Sequence, residues 1–232
     1  MTSPSYPIET IENNDSVLAP RKRVLLVFLA CCIQMIYVPT SNQVSGGIEP
    51  RLPIDVFPIW PIWVLPYVLC YVLWLVSFWW IVLKVDDRSF RAFVVACMVT
   101  FSIGVGTFVF FPTYIRAVAF PGEGVFSALL RFIHENWGRY DAFPSGHVYI
   151  TTLVTLFFSR WIPRHRALWI VILIVVSLST LFTGQHYIID VLGGYLAGLA
   201  GYHAGLWWAG FYSEPKEARK RARKRIASSS WN

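Results

Sequence analysis

The chain has 232 residues, of which 56% are hydrophobic and 14% charged, with a formal net charge of +7. A soluble domain carries about 45–50% apolar and about 25% charged residues, so this composition excludes an ordinary soluble fold and predicts one helical domain immersed in lipid. The positive excess could suit nucleic acid, but the basic residues cluster beside the ends of apolar runs, which is a pattern of membrane orientation.

Residues 1–20 are polar, rich in Ser, Pro, Asn and acidic side chains, and read as a disordered tail closed by Arg21-Lys22-Arg23. Acidic residues ahead of that basic cluster argue against a cleaved signal peptide. A hydrocarbon core of about 30 Å takes about 20 apolar residues per crossing. The first run, Val24 to Val38, is short and borrows from Pro39 to Val44. The second, Ile59 to Leu83, has Pro61 and Pro66 near its start and Trp60, Trp63, Trp79 and Trp80 near its ends, as aromatic belts do. Further runs cover Ala92 to Phe111, Val148 to Ile162, Ala167 to Phe182 and Ile188 to Phe211.

The expected fold is therefore an all-α integral membrane bundle of six transmembrane helices over residues 21–212, followed by a basic tail, 213–232. All four cysteines, Cys31, Cys32, Cys70 and Cys97, lie within apolar runs, so no disulfide framework is expected. Asp86-Asp87 reads as solvated charge in a short loop. No internal repeat and no Gly-rich nucleotide loop is present.

Sixteen of the 20 Lys and Arg residues fall in alternate connections on one side; Arg51, Arg116, Arg131 and Arg139 make up the other. The positive-inside rule then puts both termini in the cytoplasm. The tail from Lys216 to Arg225 has no aromatic residues interleaved, so its expected partner is anionic lipid, at about 1 kcal/mol per basic residue, and not nucleic acid.

On the sparsely charged outer side, polar groups gather in the connections from Pro112 to His147 and from Thr183 to Asp190. His147 and His186 lie 39 residues apart, one crossing out and one back at about 1.5 Å per residue, so both return to the same membrane face. In Ala142-Phe143-Pro144-Ser145-Gly146-His147 an extended segment turns into a helix, with Pro144 suited to the first helical position. A helix N-terminus offers free N–H groups and a favourable dipole to phosphate, and Gly146 permits close approach. Ser145 could donate its hydroxyl to such a phosphate or serve as an ordinary helix cap. His186 and Asp190, at i and i+4, share one face if the last helix starts near His186. The carboxylate could then hold one ring nitrogen and leave the other free to attack phosphorus. A metal site from His147, His186 and Asp190 lacks an evident fourth ligand, so neither metal nor organic cofactor is expected.

Pro144-Ser145-Gly146-His147 followed by His186-Tyr187-Ile188-Ile189-Asp190 resembles the second and third signature motifs of the type 2 phosphatidic acid phosphatase (PAP2) superfamily, whose soluble relatives include vanadium haloperoxidases. In detail these segments look most like the branch of inositol phosphorylceramide and sphingomyelin synthases. The resemblance runs from about Pro53 to Tyr202. It implies His186 as nucleophile, Asp190 as its orienting partner, His147 as general acid, and Ser145 with Gly146 in the phosphate cradle. Two family cations are missing: no Lys lies between Lys84 and Lys216 to begin a first motif, and Thr180 stands where an arginine usually precedes the nucleophile. Fewer cations suit a singly charged phosphodiester, and hence the transferase branch, unless an outer arginine compensates. Arg116 is the leading candidate for phosphate binding and could equally be an interfacial anchor.

The implied activity is attack by His186 on a lipid-linked phosphate at the outer face of the plasma (inner) membrane. Water would complete a phosphatase cycle and a lipid alcohol a transferase cycle. A catalytically silent scaffold or transporter is the rival, but its path would need ionisable groups within the crossings, and these are nearly confined to the outer rim.

Overall fold

In hydrocarbon every backbone N–H and C=O must be satisfied within the protein, which favours continuous helices. The apolar runs fold in that way in the computed structural model, which describes residues 18–41, 46–116, 122–136 and 140–212. The helices are α1 (Pro20–Met35), the short α2 (Tyr37–Ser41), α3 (Val64–Lys84), α4 (Asp87–Phe110), α5 (Val125–Asn136), α6 (Gly146–Trp161), α7 (Arg166–Phe182) and α8 (Ile188–Trp208). Among the described residues there is no β-strand, only a single parallel bridge between Ile48 and Thr113.

Four helical stretches have the length and apolarity to cross a membrane: Pro20–Pro39, Pro61–Lys84, Asp87–Phe110 and Pro163–Phe182. The all-α integral membrane character is thus present, with four of the six expected runs meeting this measure. With 16 residues, α6 is short for a crossing, and the 21 residues of α8 are diluted by glycines and His203. The basic tail 213–232 lies outside the described residues, as do residues 1–17 of the N-terminal tail and Val44.

One expectation is corrected at the chain's charged positions. The first helix starts at Pro20 and includes Arg21–Arg23. Asp86 is exposed, as expected, but Asp87 is not free solvated charge. Asp86 caps α4 by accepting from the Ser89 amide at 2.9 Å. Asp87 pairs with the buried Arg23 and accepts from the Leu18 amide at 2.7 Å. Arg23 also donates to the carbonyl oxygens of Val82 (3.0 Å) and Val85 (2.6 Å) and lies over the Phe90 ring. A buried guanidinium is tolerable because its donors meet fixed acceptors. The long outer connection also holds a helix that the run count passed over: α5 buries Leu130 and Ile133 against Val64 and Tyr67 of α3.

The core sits where α4, α6 and α8 meet, with Phe93 and Phe101 beside Tyr149, Leu153 and Phe157. Glycine lets α8 approach its neighbours. A Cβ on Gly194 or Gly198 would strike Val148 or Thr152 of α6 at 2.7 Å, and one on Gly205 would lie 2.1 Å from the Ala92 carbonyl oxygen of α4. Small residues at such spacing permit close helix packing in lipid, where apolar transfer contributes little. Gly205→Ala is expected to lower the melting temperature in detergent, by the equivalent of about 1–3 kcal/mol. Gly106→Ala, where a Cβ meets nothing within 4 Å, is the control and should leave it unchanged or slightly raised.

Candidate active site

The end of α7 shapes the turn that presents His186. Ser179, Thr180 and Thr183 return their hydroxyls to carbonyls of their own helix, and Gly184 reverses the chain at φ +67°. The Thr180 carbonyl oxygen then accepts from both the Gln185 amide (3.0 Å) and the His186 amide (3.1 Å). Thr180 therefore supplies backbone support to the turn and no charge.

His186 precedes α8, which starts at Ile188. Asp190 is the third helical residue and accepts from the Tyr187 amide at 2.8 Å, while the same Oδ2 lies 3.7 Å from His186 Nδ1. The pair does meet, across the helix start and not along one helix face. A second carboxylate that sequence reasoning missed completes the cap: Asp55 accepts from the Ile188 amide (2.9 Å) and the Leu52 amide (2.7 Å). Two buried acids at an α-helix N-terminus answer its free N–H groups and its dipole. Asp55 lies 133 positions from Ile188, which left no local signal in the sequence.

The segment before α6 is fixed from outside the helix. Thr113 accepts from the Phe143 amide through its hydroxyl (2.7 Å) and from the Ala142 amide through its carbonyl (3.2 Å). Pro144 does not open the helix; it lies ahead of Gly146, joined to Phe143 by a cis peptide. The Ser145 amide donates to the Asp190 carbonyl oxygen at 3.0 Å, which ties the two histidine segments together. Ser145 occupies the N-cap position, yet its hydroxyl makes no cap bond.

His147 stacks on Tyr67, with ring centroids 4.0 Å apart, and meets Tyr71 edge-on at 5.3 Å. Trp74 donates to the Thr151 hydroxyl, which donates to the His147 carbonyl oxygen. The His147 and His186 rings are 6.2 Å apart and face one cavity of about 1170 Å³, with Gly146, Asp141 and Gln185 also in its wall. Ser145 and Asp190 lie behind that wall, wholly buried. Ser145 Oγ, His147 Nε2, Gln185 Nε2, His186 Nδ1 and Asp190 Oδ1 are buried without a hydrogen-bond partner. Buried polar atoms are normally paired, so the unpartnered nitrogens of His147, Gln185 and His186, three residues that line the cavity, suit it to a polar ligand. Among the described residues no three His, Cys, Asp or Glu side chains gather as a metal would require.

Arg116 reaches the cavity mouth, but it is 69% exposed and pairs with Glu49 at 3.0 Å. Glu49 also accepts from the Tyr187 hydroxyl at 2.7 Å. Arg131 of α5 lines the same cavity, and Arg139 falls outside the described residues. His134 of α5 bonds the Thr183 carbonyl oxygen at 3.0 Å, holding α5 over the turn.

Asp141, also missed, is an acid within the wall. Burial raises its pKa from 3.8 to about 6, partly opposed by the nearby His186. A raised acid pKa means that stability is greatest below the unfolded value and declines as pH rises through the folded one. Asp141→Asn should therefore melt at a higher temperature than wild type at pH 7.5, with the gap closing as pH falls from about 6 toward about 4. Asp55→Ala should lower the melting temperature at both pH values by the equivalent of about 1–2 kcal/mol, as loss of a helix cap does.

The sequence matches the PAP2 superfamily over residues 60–204, a stretch that includes both histidine segments and the helices carrying them. No curated protein matches it. Members of this superfamily are generally phosphatases or phosphotransferases. The match covers more than half of the chain and includes His147, Ser145, His186 and Asp190, and on that ground the protein belongs to the PAP2 superfamily.

Proposed function

We propose that the protein transfers or hydrolyses a lipid-linked phosphate through a covalent phosphohistidine at His186. The observation that carries this reading is the pair of histidine rings, 6.2 Å apart, that face one cavity with unpartnered nitrogens, Asp190 lying 3.7 Å behind His186 Nδ1. With Nδ1 turned to Asp190, Nε2 of His186 is the attacking atom; Asp190 stabilises the imidazolium that forms. His147, held by Tyr67 and Tyr71, protonates the departing oxygen and later deprotonates the incoming water or alcohol. Ser145 and the first amides of α6 hold the phosphate oxygens. Six crossings, with both termini in the cytoplasm and this site at the outer face of the plasma membrane, follow from the basic residues' asymmetry.

A phosphodiester headgroup is the preferred substrate, and the transferase branch the preferred kinship. Thr180 brings no cation, no lysine begins a first motif, and Glu49 offsets the charge of Arg116. A monoester, which gains a second charge near pH 6, would be poorly neutralised here.

His186→Ala should abolish turnover, and His147→Ala should slow it about 10²–10⁴-fold, the usual worth of a general acid. Asp190→Asn should retain partial activity. Brief reaction with a radiolabelled headgroup phosphate should leave acid-labile label on wild type and none on His186→Ala; label surviving in that variant would move the nucleophile elsewhere. At one fixed pH, a diester lipid should turn over faster than its matched monoester, and a lipid alcohol should divert product into a new diester. Faster release of inorganic phosphate from phosphatidic acid, indifferent to acceptor, would reject the transferase assignment and leave a plain phosphatase. Single cysteines at Glu123 and Glu135 should react with an impermeant reagent from outside and one at Ser228 should not; the reverse pattern would overturn the orientation.

A further inference from the structure

The cavity holding the histidines does not end at the outer rim. It continues between α1 and α3, where Val27 and Cys31 face Leu75 and Phe78, and it reaches Val24 and Val82. From Tyr67, beside His147, to Val82 is fifteen residues of helix, about 22 Å at about 1.5 Å per residue. That is most of a hydrocarbon core of about 30 Å. The volume, about 1170 Å³, exceeds the roughly 300–1,000 Å³ of ordinary small-molecule pockets.

Its polarity changes along its length. The histidine end carries the unpartnered nitrogens of His147, Gln185 and His186. Deeper, two of the polar lining groups bond within the protein: Gln34 accepts from the Tyr149 hydroxyl at 2.6 Å, and the Trp74 indole donates to Thr151 at 3.1 Å. Most of the rest is aliphatic and aromatic surface, from Val24, Val27, Leu75, Phe78 and Val82. Beside the far end, Arg23, next to the lining residue Val24, reaches from α1 to the Val82 and Val85 carbonyl oxygens of the α3 end and to Asp87. The two helices are thus joined at the bottom by a charged clamp and separated above it by an apolar slot continuous with the histidines.

We propose that this slot between α1 and α3 holds one hydrocarbon chain of the lipid whose phosphate meets His186, with the chain's methyl end stopped at the Arg23 clamp. The proposal rests on the phosphohistidine reading for the headgroup and on the slot's shape and chemistry for the chain. A chain leaving the bilayer for the slot gains little from the hydrophobic effect, because lipid is equally apolar. Selection is therefore by packing and length, and the clamp sets the upper limit, since a longer chain would have to displace a buried ion pair.

The test uses the full-length His186→Ala protein, which leaves the lipid uncut. It is photolabelled with a phosphodiester lipid carrying a diazirine at mid-chain or at the chain end. Mid-chain label is expected on the segments around Cys31 and Leu75, and chain-end label around Val24 and Val82, both displaced by excess unlabelled lipid. Label confined to the outward face of α8, at Leu192 and Leu196, or not displaced, would overturn the slot. In the active protein, Val27→Trp should reduce kcat/KM for long-chain lipids at least tenfold relative to a short-chain lipid of the same headgroup. Phe28→Trp, on the exposed face of α1, should not alter that ratio. Equal loss at every chain length for Val27→Trp would also count against the slot. Wild-type protein that turns over no lipid phosphate would refute the phosphohistidine chemistry alone, since the labelling pattern judges the slot independently.

Discussion

The start of α8 is the constraint around which the site is built. Its exposed amides demand acceptors, and two buried carboxylates supply them: Asp190 at the Tyr187 amide and Asp55 at the Ile188 amide. The carboxylate that completes the helix is also the one facing His186, so the helix cannot form its first turn without bringing charge to the histidine. The Asp190 carbonyl oxygen then receives the Ser145 amide, and the start of α6 is set by the same residue. One aspartate thereby positions both histidine segments, through its side chain for one and its backbone for the other.

Close packing behind that point keeps it rigid. Gly194 and Gly198 bring α8 onto α6 just below the site, and Gly201 and Gly205 bring it onto α4. On the opposite side the loop before α3 docks on the His186 turn: the Trp60 amide donates to the Phe182 carbonyl oxygen at 2.9 Å, and the two rings stack 4.8 Å apart. The histidines thus sit between a tightly interlocked helix trio and a single looser wall made by α1 and α3. The loose wall is where the cavity extends.

Much of this was legible in the residues. Helical periodicity and run length gave all-α architecture, and the spacing from His147 to His186 placed both rings at one end of the bundle. The His186–Asp190 pair was also legible from its spacing of four, though the histidine proved to lie before the helix. Asp55 and Glu49 were not legible, because their partners are 133 and 138 positions away and nothing local distinguishes them from solvated acids. Asp87 was misread for a related reason: a short loop between apolar runs is ordinarily wet, and only the arrival of Arg23 draws this one side chain into a partly buried ion pair. The glycine spacing in α8 was in plain view, but hydropathy treats glycine as neutral and so conceals its packing role. Arg116 had the right location and the wrong surroundings, since Glu49 shares its charge.

The Arg23 clamp also bears on how the chain comes together. Arg23 and Asp87 are 64 positions apart, and the guanidinium takes its other acceptors from Val82 and Val85 at the end of α3. As the protein is synthesised, α1 emerges carrying a cation whose acceptors do not yet exist. It can settle into its final depth only after α3 is complete and α4 has begun. The smallest unit that assembles without an orphaned charge is therefore the stretch from α1 into the first turn of α4, and insertion of the first helix is coupled to the arrival of the third long one.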